Sequence, residues 1–376
     1  MIVTLTLNPS LDRTVEVPVL DRGSVIRALD GHLDPGGKGV NVARALLANG
    51  VDARAILPVG GRVGRQLVEL LEVEGVRMTP VPVGAETRSN LTLSEPDGTV
   101  TKINEAGGAL TDAEIERLAD VVLLTAGAAG PRDLKVVAGA ADRVVAGLRD
   151  LNATAGLRDL NATAGLPDRN AVAGLRDLDA VADAADGVVS GDWVVASGSL
   201  PPDTPSNVYA RLVARLAAQG FKLAVDTSGA ALTEAVAAGA ALVKPNREEL
   251  SDAVGWEVWS LDDAVKAAES LRHDGAEAVL VSLGPDGAVL VDDDGALHGQ
   301  CPVEVPRSSV GAGDCLLAGF LAAGARGEQA LATGLRWAAA AVELPGSRIP
   351  TPADIAGRHP IIRRDMDRRQ ALSPSS

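Results

Sequence analysis

Short apolar runs bounded by glycine, proline or aspartate alternate along this chain with longer stretches rich in alanine and leucine. The runs have the length of strands, whereas the stretches between them have the spacing of helices. This alternation predicts an α/β fold in which helices cover both faces of a mainly parallel central sheet. The predicted strands are residues 55–59, 193–196, 222–225, 241–243, 278–282 and 288–291, and the predicted helices are residues 40–47, 63–71, 207–218 and 261–271.

The composition narrows the class of partner and the compartment. The formal net charge of −15 opposes binding to nucleic acid or to an anionic membrane, because it repels their phosphates. Two cysteines, Cys301 and Cys315, are too few for a disulfide scaffold or a structural zinc site. The first residues lack the pattern of a signal peptide, and no apolar stretch reaches the ~18 residues of a membrane span. We therefore expect a cytoplasmic protein that acts on a small molecule.

Two segments show the two-residue alternation of a second, smaller sheet. Residues 88–105 contain two alternating runs joined at residues 96–98, which is the pattern of an antiparallel hairpin. Residues 14–28 alternate in the same way. A small sheet formed by residues 12–33 and 87–106 would project over the strand ends as a lid that excludes water.

A nonapeptide repeat interrupts the pattern at residues 146–181. AGLRDLNAT occurs twice without change and is followed by two looser copies. Nine residues turn a helix by ~900°, so successive leucine pairs would not share a face, and each copy carries a helix-weakening glycine. We predict a tolerated, flexible insertion in a surface connection, with a partner-binding segment as the alternative. Residues 1–355 would otherwise form one domain, followed by a solvated, arginine-rich tail at residues 356–376.

The strongest motif for chemistry is S-V-G-A-G-D at residues 309–314, followed by an apolar helical run. Small residues let the backbone approach a ligand, and the free N–H groups at the start of a helix attract phosphate. Asp314 either caps this helix or acts as a general base that takes a proton from an attacking hydroxyl. In the second case, the amides of Ala312, Gly313 and Asp314 would stabilise charge on a transferred phosphoryl group.

A glycine turn, D-P-G-G-K-G-V-N-V-A at residues 34–43, leads into a predicted helix. It lacks the spacing of a Walker loop. Its glycines bring the backbone close to a ligand, for which Lys38 and Asn41 offer hydrogen-bond donors. The alternative is a tight turn with Asn41 in the first turn of the helix.

Two motifs suggest a nucleotide and its metal. In K-P-N-R-E-E at residues 244–249, Asn246 and Glu249 share one side of a starting helical turn, where their oxygens could hold the water shell of Mg²⁺. The same pair is also a standard capping box. The glycine-bounded turn at residues 282–287 could cradle a nucleotide or serve as a plain hairpin turn.

Two further motifs suggest a sugar phosphate. Asp12 follows the first strand in N-P-S-L-D and is an acceptor for sugar hydroxyls. Arg88 begins the predicted hairpin in T-R-S-N, where it could make a bidentate contact with a phosphate. The alternatives are a turn residue and a surface ion pair.

In this order and spacing, the motifs resemble the PfkB branch of the ribokinase-like carbohydrate kinases over residues 1–141 and 187–355. The resemblance implies a ribokinase-like three-layer αβα sandwich, a homodimer, and phosphoryl transfer from MgATP to a sugar hydroxyl with Asp314 as the base. It also implies roles for the other site residues: Gly311, Ala312 and Gly313 in an anion hole; Asp12, Gly37, Lys38, Asn41, Arg88 and Asn90 on the sugar phosphate; Lys244, Asn246, Ser282, Gly284 and Gly287 on the nucleotide ATP; and Asn246 with Glu249 on Mg²⁺ through water.

Within the family, N-P-S-L-D, T-R-S-N and K-I-N-E resemble the phosphofructokinase and tagatose-6-phosphate kinase group, and most of all its 1-phosphofructokinases. The implied reaction converts fructose 1-phosphate to fructose 1,6-bisphosphate. The alternatives are a 6-phosphofructokinase or tagatose-6-phosphate kinase and, from another class, a non-catalytic sugar-phosphate sensor on the same fold. The chain departs from the family pattern at Gly107 and Gly108, where glycine–proline is usual, and at Cys315, where serine is common.

Overall fold

The computed structural model describes residues 1–127 and 193–374, so the repeat insertion predicted at residues 146–181 lies outside the described residues. The strands are β1 (Ile2–Leu5), β2 (Ser10–Glu16), β3 (Asp30–Gly36), β4 (Ala53–Val59), β5 (Met78–Pro82), β6 (Arg88–Ser94), β7 (Val100–Ile103), β8 (Trp193–Ser197), β9 (Lys222–Asp226), β10 (Leu242–Val243), β11 (Val279–Ser282), β12 (Ala288–Asp292), β13 (Gly295–Gln300) and β14 (Ile361–Arg363). The helices are α1 (Lys38–Ala48), α2 (Gly61–Val73), α3 (Asp112–Gly127), α4 (Val208–Ala217), α5 (Ala230–Ala237), α6 (Arg247–Val254), α7 (Leu261–His273), α8 (Ala312–Ala322), α9 (Gly327–Val342) and α10 (Pro352–Ile355). In these two ranges, none of the helices has the length and apolar character that crossing a membrane requires.

Ten of the described strands form one large sheet in the order β14-β13-β12-β11-β10-β9-β8-β1-β4-β5. The strands from β11 to β5 pair in parallel, and β12, β13 and β14 add an antiparallel edge. At the centre, Val3 of β1 lies in register with Arg54 of β4 and with Val194 of β8. Strand β1 is buried along its whole length, because both faces of the sheet are covered. The predicted α/β fold with a mainly parallel sheet is confirmed.

Helices cover both faces of this sheet and enclose an aliphatic core. Successive strand residues point to opposite faces, so Val194 lies in the core cluster under α3 to α7 and Val195 in the cluster under α1, α8 and α9. The largest fully buried side chains include Tyr209 of α4 on the first face and Phe320 of α8 on the second. The two clusters make the sandwich three layers thick.

Two glycines bring helix α8 into close contact with α9. A Cβ atom on Gly319 would lie 2.9 Å from Cα of Gly334, and one on Gly334 would lie 2.6 Å from the carbonyl oxygen of Leu316. Backbone therefore packs on backbone, with no room for larger residues. This contact fixes the position of α8, including its first turn.

A second, four-stranded sheet has the order β3-β2-β6-β7. Strands β2 and β6 run parallel and place Asp12 opposite Asn90. Strands β6 and β7 are antiparallel, so the predicted hairpin is confirmed. All seven residues of β6 are partly buried, whereas Val100 and Ile103 of β7 are exposed. The second sheet thus presents apolar side chains to solvent.

Strand β3 extends beyond residue 33, the predicted end of the small sheet. It continues to Gly36, so Gly37 alone separates it from the first residue of α1, Lys38. Gly37 has a φ of 116°, which residues with side chains rarely adopt, and its Cβ would lie 2.8 Å from a methyl carbon of Thr6. A single glycine therefore connects the second sheet to α1.

The chain after α10 is anchored to the domain, although the four arginines from which a solvated tail was predicted are exposed. Strand β14 pairs with β13, and Leu372 is buried. The N–H of Ser373 donates to Asp286 at 2.7 Å, and Arg247 donates to the carbonyl oxygen of Ser373 at 2.7 Å. The sequence did not indicate this anchoring, because the few apolar residues of the segment are widely spaced and the arginines dominate its pattern.

Candidate active site

Charged side chains from four elements meet at the carboxyl ends of the central strands. Asp226 is the last residue of β9, Lys244 follows β10, Lys38 begins α1, and Asp314 lies in the first turn of α8. Nζ of Lys38 lies 2.7 Å from Oδ1 of Asp226, and Nζ of Lys244 lies 3.0 Å from Oδ2 of the same carboxylate. The sheet therefore brings Lys38 and Lys244, which are far apart in sequence, to one carboxylate.

The first turn of α8 leaves the backbone amides of Gly313 and Asp314 available to a ligand, and that of Ala312 makes only a long contact of 3.4 Å with the carbonyl oxygen of Ser309. Gly311 is the N-cap residue with a left-handed φ of 77°, and no side chain of the described residues caps this helix. A Cβ atom on Gly313 would lie 3.3 Å from Nζ of Lys244, so an ammonium group lies beside these amides. Free N–H groups, the helix dipole and a lysine together favour an anion at this point.

Asp314 is buried, and in the described part of the chain its carboxylate is hydrogen-bonded by Asn41 rather than by the backbone of α8. Nδ2 of Asn41 donates to Oδ2 of Asp314 at 2.9 Å. Burial, followed by repulsion from Asp226, raises the pKa of Asp314 from 3.8 to about 6, against the hydrogen bond from Asn41 and the charges of Lys244 and Lys38. A carboxylate with a pKa closer to neutrality is suited to accept a proton. The geometry favours the base over the capping role.

Asp226 is fully buried between the two lysines. Burial favours its protonated form, but Lys244 and Lys38 outweigh burial and hold the pKa of Asp226 below its ordinary value. Burial likewise opposes the charge of Lys38, yet Asp226 and Glu249 raise the pKa of Lys38 above its ordinary value. Nζ of Lys38 lies 3.3 Å from Oε1 of Glu249. Lys38, which is predicted to bind the sugar phosphate, therefore also contacts Glu249, which is predicted to help hold Mg²⁺.

Asn246 and Glu249 form the capping box that begins α6. The side chain of Asn246 accepts from the N–H of Glu249 at 2.8 Å, and Glu249 accepts from the N–H of Asn246 at 2.9 Å. Within the described ranges, no three His, Cys, Asp or Glu side chains are grouped so that they could hold a metal ion. Amide and carboxylate oxygens of this kind suit Mg²⁺ held through water, which this ion retains readily, so the role of the pair toward Mg²⁺ stays a prediction.

The predicted sugar-phosphate residues lie where the second sheet meets the glycine turn. Asp12 accepts from Nδ2 of Asn90 at 2.8 Å, and a Cβ atom on Gly36 would collide with the carboxylate of Asp12. Burial lowers the pKa of Arg88, against the charges of Asp12 and Glu105. Among the described residues, Nε of Arg88 and Oδ1 of Asn90 are buried without hydrogen-bond partners. Buried polar atoms of this kind are suited to bind a ligand.

The predicted nucleotide residues lie at the carboxyl ends of β10 and β11, which are interior strands of the large sheet. Asn246 and Ser282 form an isolated parallel β-bridge. The turn after β11 is the short 3₁₀ helix Gly284–Asp286, and Gly284 and Gly287 both have positive φ. A Cβ atom on Gly287 would collide with the backbone of β13. Packing therefore sets the form of the turn, and its role toward a nucleotide stays a prediction.

Sequence reasoning missed several polar residues around this site. Asp226 directly follows the predicted strand 222–225, so the rule that ligands bind at strand ends pointed to it. Asn8 lies in a motif that was singled out for Asp12, and its Nδ2 lies 3.4 Å from Oγ of Ser199, two residues beyond β8. Arg44 is buried in α1, although nothing in its local pattern distinguishes it from a surface arginine.

Comparison with known proteins agrees with the resemblance found in the sequence. Residues 5–145 and 166–354 match the family model described as pfkB family carbohydrate kinase. The chain is 32% identical to ATP-dependent 6-phosphofructokinase isozyme 2 of Escherichia coli, over 93% of this chain and 94% of that protein. It is 34% identical to the 1-phosphofructokinase of Haloferax volcanii, over 94% of this chain and 95% of that protein.

Solved structures share the fold. Phosphofructokinase-2 from Escherichia coli in complex with fructose-6-phosphate has a TM-score of 0.72 at 30% identity and covers 94% of this chain and 96% of its own. Ribokinase from Thermotoga maritima has a TM-score of 0.61 at 18% identity and covers 94% of this chain and 98% of its own. The predicted ribokinase-like fold is confirmed.

Proposed function

Because the chain belongs to the pfkB family of carbohydrate kinases and is a sugar-phosphate kinase, we propose that it transfers a phosphoryl group from ATP to the 6-hydroxyl of fructose 1-phosphate. The product would be fructose 1,6-bisphosphate. One observation carries the proposal. A buried carboxylate, Asp314, whose pKa is raised to about 6, lies in the first turn of a helix that leaves its amides available to a ligand.

In the proposed reaction, Asp314 accepts the proton of the hydroxyl group as the hydroxyl oxygen attacks the γ-phosphorus of ATP. The bond between the γ-phosphorus and the bridging oxygen breaks, and ADP leaves. The amides of Ala312 and Gly313 stabilise the charge of the transferred group, and Lys244 adds a positive charge beside them. Asp226 keeps Lys244 in place through its ion pair.

The sugar phosphate would bind between the second sheet and the glycine turn. Asp12 and Asn90 lie side by side there, and the carboxylate of Asp12 and Oδ1 of Asn90 are acceptors for sugar hydroxyls. Arg88 keeps a buried nitrogen without a partner among the described residues, which suits a bidentate contact with the phosphate that does not react. This phosphate is an anchor rather than a reacting group.

The nucleotide would lie beside Lys244, Asn246 and Ser282 at the carboxyl ends of β10 and β11. The turn that contains Gly284 and Gly287 is next to it. Mg²⁺ would be held through water by Asn246 and Glu249. When bound, Mg²⁺ neutralises charge on the phosphate oxygens. Lys38, paired to Glu249 at 3.3 Å, adds a fixed positive charge between the two substrates.

The choice of fructose 1-phosphate is supported by the sequence motifs and by the Haloferax volcanii relative at 34% identity. The Escherichia coli relative at 32% identity makes fructose 6-phosphate the second candidate. A coupled assay of ADP release with fructose 1-phosphate, fructose 6-phosphate and tagatose 6-phosphate tests the proposal. The highest kcat/KM should belong to fructose 1-phosphate. ADP release with none of the three would instead favour a non-catalytic sensor.

A homodimer is part of the proposal. Val100 and Ile103 of the second sheet are 49% and 54% exposed, and a second copy of the chain could cover them. A solved Escherichia coli phosphofructokinase-2, at 30% identity, is described as a tetrameric inhibited form, so that relative associates. Sedimentation analysis of the wild type should give a dimer, and Val100→Asp with Ile103→Asp should give a monomer. A monomeric wild type would contradict this part.

A further inference from the structure

A line of four side chains runs from the surface of the protein to Asp314. Glu74 follows α2, and its carboxylate accepts from Nε of Arg44 at 2.6 Å and from Nη2 at 2.7 Å. Nη1 of Arg44 donates to Oδ1 of Asn41 at 3.4 Å, and Nδ2 of Asn41 donates to Asp314 at 2.9 Å. Arg44 and Asn41 are buried, whereas Glu74 is partly exposed.

The order of donors and acceptors along this line follows from the chemistry of the guanidinium group. A guanidinium donates hydrogen bonds and never accepts them. The atom of Asn41 that faces Arg44 must therefore be the amide oxygen. The amide NH₂ group then faces Asp314, to which it can donate and from which it cannot accept. Ionised Asp314 gains this hydrogen bond, whereas a proton on Oδ2 would face another donor.

Arg44 is itself held from two sides. Glu74 binds two of its nitrogens, and Nη1 also donates to the carbonyl oxygen of Pro35 in β3 at 3.4 Å. An asparagine amide is nearly symmetric in shape, so its orientation is decided by its hydrogen-bond partners. With Arg44 fixed beside it, Asn41 has one satisfactory orientation.

We infer that Arg44 is a positioning residue that turns the amide NH₂ group of Asn41 toward Asp314. The inference rests on the proposed role of Asp314 as the base. Arg44 acts through Asn41, and Glu74 in turn holds Arg44.

Other ionisable groups also face Asp314. They are Asp226 at the end of β9, Lys244 after β10, Lys38 in α1 and the adjacent thiol of Cys315 in α8. All four remain when Arg44 or Glu74 is replaced. If the titration of Asp314 changes when Arg44 or Glu74 is replaced, the change therefore reports on the hydrogen bonds from Glu74 through Arg44 and Asn41 to Asp314.

The test is the pH dependence of kcat/KM, which reports ionisations of the free enzyme. Arg44→Gln introduces a side chain that can accept as well as donate, so Asn41 becomes free to turn, and the acid limb should move up by roughly 0.5–1 pH unit. Arg44→Lys keeps a cation that only donates and should move the limb less than half as far. Asp314→Asn identifies the limb, because its residual activity should lack it.

Glu74→Leu separates positioning from simple charge. Loss of the negative charge of Glu74 removes repulsion between like charges, which by itself would lower the pKa of Asp314 and move the acid limb down. Release of Arg44 instead lets Asn41 turn and moves the limb up. An upward shift supports the inference, and an unchanged or lower limb overturns it. Because Glu74 is partly exposed, this variant carries the test even where Arg44→Gln does not fold.

The failures of the two proposals are distinguishable. Near-normal turnover of Asp314→Asn, or ADP release with none of the hexose phosphates, would reject the proposed function. Loss of turnover in Asp314→Asn together with a wild-type acid limb in Arg44→Gln and Glu74→Leu would reject the positioning role alone.

Discussion

The two sides of the site differ in how their charged groups are held. On the side of the large sheet, Asp226 holds two lysines and Asn41 holds Asp314. On the side of the second sheet, β6 is partly buried, and Arg88 and Asn90 keep atoms without partners among the described residues. Thr6 and Ser197 on the first side also keep buried oxygens without hydrogen-bond partners among the described residues, so the difference lies in the charged groups. It agrees with the proposed role of the first side in chemistry and of the second in recognition.

Replacing Asp314 by Asn tests the chemical side most severely. Loss of the proton acceptor should lower kcat by about 10³-fold or more, while binding of ATP changes little. A neutral amide is also easier to bury than a carboxylate with a raised pKa, so the free energy of unfolding at pH 8 should rise on the order of 1–2 kcal/mol. Steady-state turnover and urea denaturation measure the two effects. Near-normal turnover of this variant would show that Asp314 is not the base.

Replacing Asp226 by Asn tests whether that side depends on paired charges. The two lysines would lose their shared counterion in a buried setting, and the free energy of unfolding should fall by about 3 kcal/mol. Asp262→Asn is the matched control, because Asp262 pairs with Lys266 and Arg368 at the surface, where solvent screens the charges, and the substitution should cost far less than Asp226→Asn. Equal losses in the two variants would contradict the contrast.

Replacing Arg88 by Met tests the recognition side. Arg88 is proposed to anchor a phosphate that does not react, so KM for the sugar phosphate should rise about 10–100-fold, with kcat within a few-fold of the wild type. Arg77→Met, which breaks an exposed pair with Asp52, should leave both constants unchanged. A loss in kcat without a change in KM would place Arg88 on the chemical side instead.

The pH dependence should reflect the raised pKa of Asp314. The base must be ionised, so kcat/KM should fall about tenfold for each pH unit below about 6. Stability changes in the opposite direction. The folded-state pKa lies above the ordinary value of 3.8, so protonation of Asp314 favours the folded state, fully below about pH 4, and this contribution is lost as pH rises through about 6. A plateau of activity extending down to pH 4 would contradict the assignment.

The smallest effect is expected from the repeat insertion. Deleting residues 155–163 removes one complete copy of the nonapeptide. If the insertion is passive, kcat, KM and Tm should match those of the wild type. A loss of activity or binding to another protein would favour the partner-binding alternative.

The sequence predicted those parts of the molecule whose pattern is local. Six described strands of the large sheet, β4 and β8 to β12, appear in the sequence as apolar runs, and the start of α8 appears as G-A-G-D. Each of these signals depends only on consecutive residues. Pairings between distant segments leave no such pattern. Asp226 and Lys38 are 188 residues apart, and the residues around each of them give no sign that the two form a pair. The same holds for Arg44, whose partner Glu74 ends a different helix.

Alternatives left open by the sequence were narrowed where the structure shows side-chain partners. The capping box of Asn246 and Glu249 is present, so this pair has a structural role whether or not it also serves a metal. Asp314, in contrast, is turned toward Asn41 rather than toward its own helix. Sequence spacing alone could not distinguish a capping residue from one that faces a ligand, because Glu249 and Asp314 both lie in the first turn of a helix.

The direct passage of β3 through Gly37 into α1 has a mechanical consequence. Only Gly37 separates the strand from the helix, so any tilt of the second sheet would also move the first turn of α1, which contains Lys38 and Asn41. Under the proposed function, the strand beside the sugar-phosphate residues and the helix that carries Asn41 are therefore coupled through a single residue of backbone.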